Sequence, residues 1–420
     1  MRRCGLVLCL FFIAGCATAD APPFHARRPL RVALYPFVPA KAALFSHIKT
    51  SFEAAFPEIN LEIIDLSDNY YDETSRHAVT NTDADVLELD SVFIDDFIAA
   101  NRIQPLPATL QPESASFLPV ASAAAQSSGS WYAMPHWVCT NFLIFHRGDP
   151  LGTIKNFREL EASINKPVTP SNSLLIDLKG RSTLGELYLN ALLDNYGTFE
   201  KLRPFLEMNN LDSGSVEILK RSRALCDSEL CRDRAYHDML GFYPRQFAHL
   251  LGRALVGYSE QLYYVGNEEL NGCRKDTKTA KQCLRLTDGA GKALPPDLAD
   301  VDLLPMPLSE TGSTSFAWVD SFAIDARCQR QCLLDAEAFI RHTASLNEVL
   351  AALTPGYGEA PRYLLPALAQ PYRDTSLVAA APLYPKFFSF VQNAIAVRSQ
   401  ALNAHLRDIG GELDKNRLPK

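Results

Sequence analysis

The 420-residue sequence has no Gly-x-x-x-x-Gly-Lys loop, no Gly-x-Ser-x-Gly elbow and no His-Glu-x-x-His helix. These absences speak against a P-loop nucleotide enzyme, an α/β serine hydrolase and a zinc peptidase. Lys and Arg do not cluster, and 41 basic against 48 acidic residues leave a net charge of −7. A nucleic-acid partner is therefore not expected, and a cationic small ligand suits the balance better. Only the extreme N-terminus carries a long apolar run, which excludes a multi-span membrane protein. There is no internal repeat and no low-complexity stretch beyond the Ala/Ser run at 121–130. What is present, 47% hydrophobic and 21% charged residues, is ordinary globular composition. The length suits two or three domains, or one large α/β body in two lobes.

The N-terminus reads as an address. Arg2 and Arg3 precede the apolar run Leu6–Ile13, too short to span a bilayer, and Ile13-Ala14-Gly15-Cys16 resembles a bacterial lipobox. Acylation at Cys16 would anchor an exported, periplasmic protein to a membrane, at about 0.8 kcal/mol per buried methylene. The competing reading is plain secretion with a cut near Ala17 or Ala19. The small, Pro-rich residues that follow, up to 29, suit a tether.

Of ten cysteines, Cys4 and Cys9 leave with the signal and Cys16 takes lipid. Six others form close pairs, Cys226 with Cys231, Cys273 with Cys283 and Cys328 with Cys332, which an exporting compartment oxidises. They lack CxxC spacing and nearby histidines, so no metal is expected there. Cys139 remains alone. A lone thiol in an oxidising compartment is either a small buried hydrophobe or a kept nucleophile.

Along the chain, apolar runs alternate with helical periodicity. Strands are expected at Leu30–Tyr35, Leu61–Ile64, Asp85–Asp90, Trp131–Met134, Asn141–Phe145, Arg253–Tyr258, Val301–Pro305 and Phe316–Ile324. Helices follow over Leu44–Phe56, Phe93–Ile98, Leu184–Leu192 and Leu333–Ser345, and the tail beyond Val349 reads as helical with Pro breaks. This order implies mixed, mostly parallel sheets flanked by helices, with ligands beyond the carboxyl ends of strands. Tyr35, the Tyr70-Tyr71 pair and Asp90 fall at or just after such ends. The runs on either side of Cys139 suit a crossing between lobes, and the polar, basic 273–283 segment suits a surface insertion.

A thiol nucleophile at Cys139 needs a pKa below the free value of about 8.5, hence a base or cation nearby. His136 is three residues away, a spacing that puts the two side chains on opposite faces of an extended segment. Glu260, just past a strand end, is a better base, though it also suits a helix N-terminal carboxylate. Asp90 and Asp320 close apolar runs and either cap helices or face a pocket. With Tyr35, Tyr70, Tyr71, Tyr258 and Trp318 they would build an aromatic, anionic pocket for a flat, nitrogen-rich, cationic ring.

Five segments resemble thiamine pyridinylase, the type I thiaminases: Ala33–Pro39, Leu89–Phe93, Trp131–Pro135 running into Cys139-Thr140-Asn141, Val256–Glu260 and Tyr363–Pro366. The resemblance implies a two-lobed α/β fold of the periplasmic solute-binding (type II) kind with the ligand cleft between lobes. On that pattern lobe 1 comprises 30–137 with 262–348, lobe 2 comprises 138–261, and 349–420 is a helical segment packing on both. It implies that Cys139 adds to the thiamine pyrimidine and that Glu260 is the general acid/base. It further implies that Asp90, Asp320, Tyr35, Tyr71, Tyr258 and Trp318 bind substrate. The thiazole is expelled and replaced by an amine, pyridine or thiol, with no cofactor, in a monomer. Trp318 departs from the tyrosine expected before Asp320, and the three local cysteine pairs look like additions. The alternative is a lipid-anchored receptor for thiamine or a pyrimidine precursor, serving a transporter.

Overall fold

The computed structural model describes residues 27–66, 69–165, 173–226, 242–248, 252–266, 298–356 and 359–418. The signal and lipobox with Cys16, the 273–283 insertion, and Cys231, Cys273 and Cys283 lie outside the described residues.

The first lobe begins with β1 (Arg28–Ala33), whose Leu30 and Val32 are buried while Arg31 is exposed. The helix Lys41–Ala55 buries Leu44, Ile48 and Phe52 on one face and leads to β2 (Ile59–Ile64). Then comes β3 (Val86–Asp90), buried on both faces as a central strand should be. A short hairpin follows, β4 (Gln126–Ser127) with β5 (Ser130–Trp131). Next, β6 (Ala133–Cys139) runs almost directly into β7 (Asn141–His146), and here the chain changes sheets. The second lobe adds β8 (Leu174–Leu175), β9 (Ala254–Tyr258) and β10 (Val301–Pro305). The chain then returns through β11 (Phe316–Ile324), nine residues all buried, and ends with β12 (Leu365–Pro366) and β13 (Ile395–Ala396).

The larger sheet has the order β12-β6-β11-β3-β1-β2, with β13 beside β11; the smaller is β10-β7-β9-β8. Both are mixed. Among the described strands, parallel pairing is confined to β2-β1-β3, β8-β9 and β11-β13; β6 and β11, which carry the chain from one lobe to the other and back, run antiparallel to each other, and β11 runs antiparallel to β3.

Two boundaries differ from expectation. β10 pairs with β7 from Val301↔His146 to Pro305↔Phe142, so the return to the first lobe comes after 305 and not at 262. An apolar five-residue run fits either sheet equally well by pattern; hydrogen-bond register decides. The C-terminal segment is not only helical packing: β12 and β13 complete the first sheet. Its helix Leu402–Glu412 crosses the second-lobe helix Arg181–Tyr196 with no room for side chains. A Cβ on Gly410 would lie 1.8 Å from the Arg181 carbonyl oxygen, and one on Gly185 2.1 Å from that of Leu406.

A disulfide joins Cys328 to Cys332 in the first turn of the helix Gln331–Thr343, and Cys226 is buried and disulfide-bonded. No helix among the described residues is long and apolar enough to cross a membrane.

Candidate active site

The lobes enclose a cleft of about 670 Å³, within the range of small-molecule sites. One wall comes from strand ends of the first sheet. Asp90 ends β3; its Oδ1 accepts from the Val92 N–H at 2.9 Å, capping the helix Ser91–Ala99, and its Oδ2 accepts from the Tyr71 hydroxyl at 2.7 Å. Helix cap and pocket acid are thus one residue. Tyr71 in turn bonds the Tyr35 hydroxyl at 3.0 Å, while Tyr35 packs edge-on to Phe37 and Tyr70. Burial pushes the Asp90 carboxyl up to about 6, against the hydrogen bonds from Val92, Tyr71 and Ser91.

Asp320 stands directly opposite Asp90 in the β11–β3 register. Facing like charges are unfavourable in a buried ladder. Burial, then Asp90 and Glu88, push the Asp320 carboxyl well above the carboxylate range. Asp320 is only 2% exposed and lies behind the cleft wall rather than in it. It reaches the cleft through Cys139, whose thiol donates to its Oδ2 at 3.6 Å.

Cys139 ends β6 opposite Trp318 of β11; it is free, half-buried and open to the cleft. The depressed thiol expected of a nucleophile is not found here. Burial first, then the acids Asp320, Glu260 and Asp90, push the thiol well up. In this state Cys139 is a thiol held by an acid, not a thiolate. His136 is no partner to it. A bulge at Pro135–Trp137 turns His136 inward, where its Nδ1 bonds Glu88 Oε1 at 2.6 Å and its ring lies against Trp137 and Phe322.

The opposite wall is second lobe. Glu260 follows β9, and its approach is fixed by Ser259, whose hydroxyl donates to the Tyr363 carbonyl at 2.7 Å. Burial pushes Glu260 up to about 8, and nearby Glu186 adds to the rise. Tyr258 ends β9 opposite Asn141 in register. Both donate to Glu186: Asn141 Nδ2 to Oε1 at 2.7 Å, and the Tyr258 hydroxyl to Oε2. The Trp318 indole, from the first lobe, lies beside that carboxyl in the cleft and favours its ionised form.

The cleft therefore brings together Tyr35, Tyr71, Asp90, Cys139, Tyr258, Glu260 and Trp318, with Asp320 just behind. Sequence reasoning missed Glu186. It sits in the helix Arg181–Tyr196, buried from Leu184 to Asp194, where an acid within an apolar run was the only signal. Among the described residues no group of three or more His, Cys, Asp or Glu side chains is placed to hold a metal ion.

The chain is 27% identical over 392 residues to thiaminase-1 of Paenibacillus thiaminolyticus, an alignment spanning 90% of this chain and 84% of that one. This chain is a thiaminase I homologue. The homologue is similar in structure to Clostridium botulinum thiaminase I in complex with thiamin, with a TM-score of 0.72 at 20% identity over 91% of this chain and 98% of that one. It is also similar to maltose-bound MalE3 of T. maritima, with a TM-score of 0.66 at 15% identity over 93% and 95% of the two chains. The fold is thus the two-lobed α/β architecture shared by thiaminase I and sugar-binding proteins of the MalE kind. No protein-family model matches the chain.

Proposed function

We propose that this homologue is a thiamine pyridinylase, a transferase that exchanges the thiazole of thiamine for another nucleophile. The observation that carries the reading is the free Cys139 thiol opening into an aromatic, acid-lined cleft of a chain alignable with thiaminase-1 over 90% of its length. Tyrosine faces and buried carboxyls suit a planar, cationic substrate. Its positive charge favours ionised carboxyls, and these can then take the thiol proton.

In the proposed sequence Cys139 loses its proton to Glu260 and its sulfur adds to C6 of the pyrimidine, while Glu260 passes the proton to the ring nitrogen. The bond from the methylene to the thiazolium nitrogen breaks, its electron pair staying on nitrogen, and neutral thiazole leaves. The incoming nucleophile adds its lone pair to the methylene. The ring proton returns through Glu260 as the C–S bond breaks and the thiol is restored. One hard displacement becomes two easier ones.

The test is mass spectrometry of the protein incubated with thiamine and either aniline or pyridine. Free thiazole and an exchanged pyrimidine product are expected. Cys139→Ser should abolish exchange, by about 10³-fold or more, and leave thiamine binding within a few fold. The likeness to maltose-bound MalE3 favours a second reading, a transport receptor; intact thiamine recovered bound to the protein would support it. Export, acylation at Cys16 and a monomeric state belong to the same proposal. Export and acylation are supported by the Arg2-Arg3 start, the apolar run and Ile13-Ala14-Gly15-Cys16. Intact mass of the membrane-extracted protein tests the acylation.

A further inference from the structure

Glu186 has no part in the steps above, yet it is built into the cleft. It is 9% exposed and its two oxygens accept from Asn141 and Tyr258, with the Trp318 indole beside it favouring the ionised form. Both donors are neutral. They hold the carboxyl as an acceptor. The tight crossing at Gly185 and Gly410 fixes the helix that carries it. The departure at Trp318 thereby has a neighbour: the indole of the first lobe lines the same cleft as this second-lobe carboxyl and favours its ionised form. The acids beside it are Glu260 and Asp90, so any proton it takes relieves repulsion.

The chemistry leaves one proton unplaced. When a primary amine replaces thiazole, the nitrogen that bonds the methylene must lose a proton to give a neutral secondary amine. When pyridine replaces it, the product is a quaternary pyridinium and no proton is lost. Glu260 has to stay ionised through this stage, because it must take the ring proton back and hand it to sulfur as the C–S bond breaks, so a second base lets the amine proton leave without blocking that return. We propose that Glu186 accepts the proton of the incoming nucleophile, which makes the enzyme competent with amines and other protic acceptors. Burial sets this carboxyl at about 7, within reach of a proton at neutral pH.

The assignment rests on the pyridinylase reading, and the experiment separates the two. At saturating thiamine, kcat/KM for the nucleophile is measured with aniline and with pyridine, for the unaltered protein, Glu186→Gln and Glu186→Asp. Glu186→Gln should lose about tenfold or more with aniline and less than about twofold with pyridine, since general-base terms are commonly 10²–10⁴-fold. Glu186→Asp should recover part of the aniline rate, and if the Gln variant does not fold it carries the same comparison. An equal loss with both nucleophiles, or none with aniline, overturns the assignment alone. Failure of the unaltered protein to release thiazole with either nucleophile overturns the pyridinylase reading and the assignment with it.

Discussion

Asp90 and Asp320 face each other across two strands, with Glu260 and Glu186 on the far wall of a cleft that Arg181 and Arg407 also line. In the empty cleft these acids retain protons that isolated carboxyls lose. Asp90 titrates near 6, Glu186 near 7 and Glu260 near 8. A cationic substrate binds their ionised forms, and Cys139 can give up its proton only to an ionised acid. Acid therefore works against the reaction twice. kcat/KM for thiamine should rise with pH across the window from about 6 to about 8 and be low below it. A stopped-time assay of thiazole release from pH 5 to pH 9 checks this; a flat profile would remove the acids from the mechanism. Asp90→Asn should raise KM for thiamine by about tenfold, the loss of one charge-assisted contact worth about 1.5 kcal/mol. Burial of a carboxyl cannot be read from one residue's neighbours in sequence. That is why Asp90 and Glu260 were legible as strand-end acids while their raised pKa values, and the raised thiol of Cys139, were not.

Elements were legible where the apolar run is long. Val301–Pro305 and Phe316–Ile324 form strands with the bounds their patterns suggest, and Asp85–Asp90 differs by one residue. Trp131–Met134 was not legible as it stands. Trp131 closes a hairpin, while the sheet strand runs Ala133–Cys139 through Pro135, which reads as a break but sits at a bulge. Two-residue strands such as Leu365–Pro366 carry no alternation at all. The helix Arg181–Tyr196 was legible from the apolar periodicity of Leu184–Leu192, but it is buried nearly all round, so that pattern carried no sign that Glu186 faces a cleft. Its neighbour Gly185 has a specific purpose that a pattern cannot reveal, the close approach of Leu402–Glu412. Gly410→Ala must part these helices. A destabilisation of about 1–3 kcal/mol, typical of overpacking, is expected in urea unfolding, along with a fall in aniline exchange larger than that in pyridine exchange. An unchanged midpoint would mean that the crossing yields without strain.

At the scale of the whole molecule the acids that suit the cleft for a cation also load the empty fold. The cleft acids Asp90, Glu186 and Glu260, and Asp194 buried outside the cleft, all have carboxyls raised in the folded state by burial, to between about 6 and about 8, whereas the unfolded chain ionises near 4. Between those values the folded protein binds more protons than the unfolded one, so stability falls as pH rises. Their contribution is complete below about pH 4 and is lost progressively up to about pH 8. The empty protein should therefore melt several degrees lower at pH 8 than at pH 5.5, given roughly 1 °C per kcal/mol for a chain of this size. Substrate reverses the slope. A bound cation stabilises the ionised carboxyls and adds RT ln(1 + [L]/Kd), so thiamine should raise the melting temperature more at pH 8 than at pH 5.5. Cys139→Ser, which holds thiamine without consuming it, is the form in which to measure this by calorimetry. Glu260→Gln should flatten the slope of the empty protein, because it removes the most strongly raised of the four acids. Equal melting shifts from thiamine at both pH values would show that the carboxyls do not meet the substrate's charge, and the cleft's acids would then serve the fold alone.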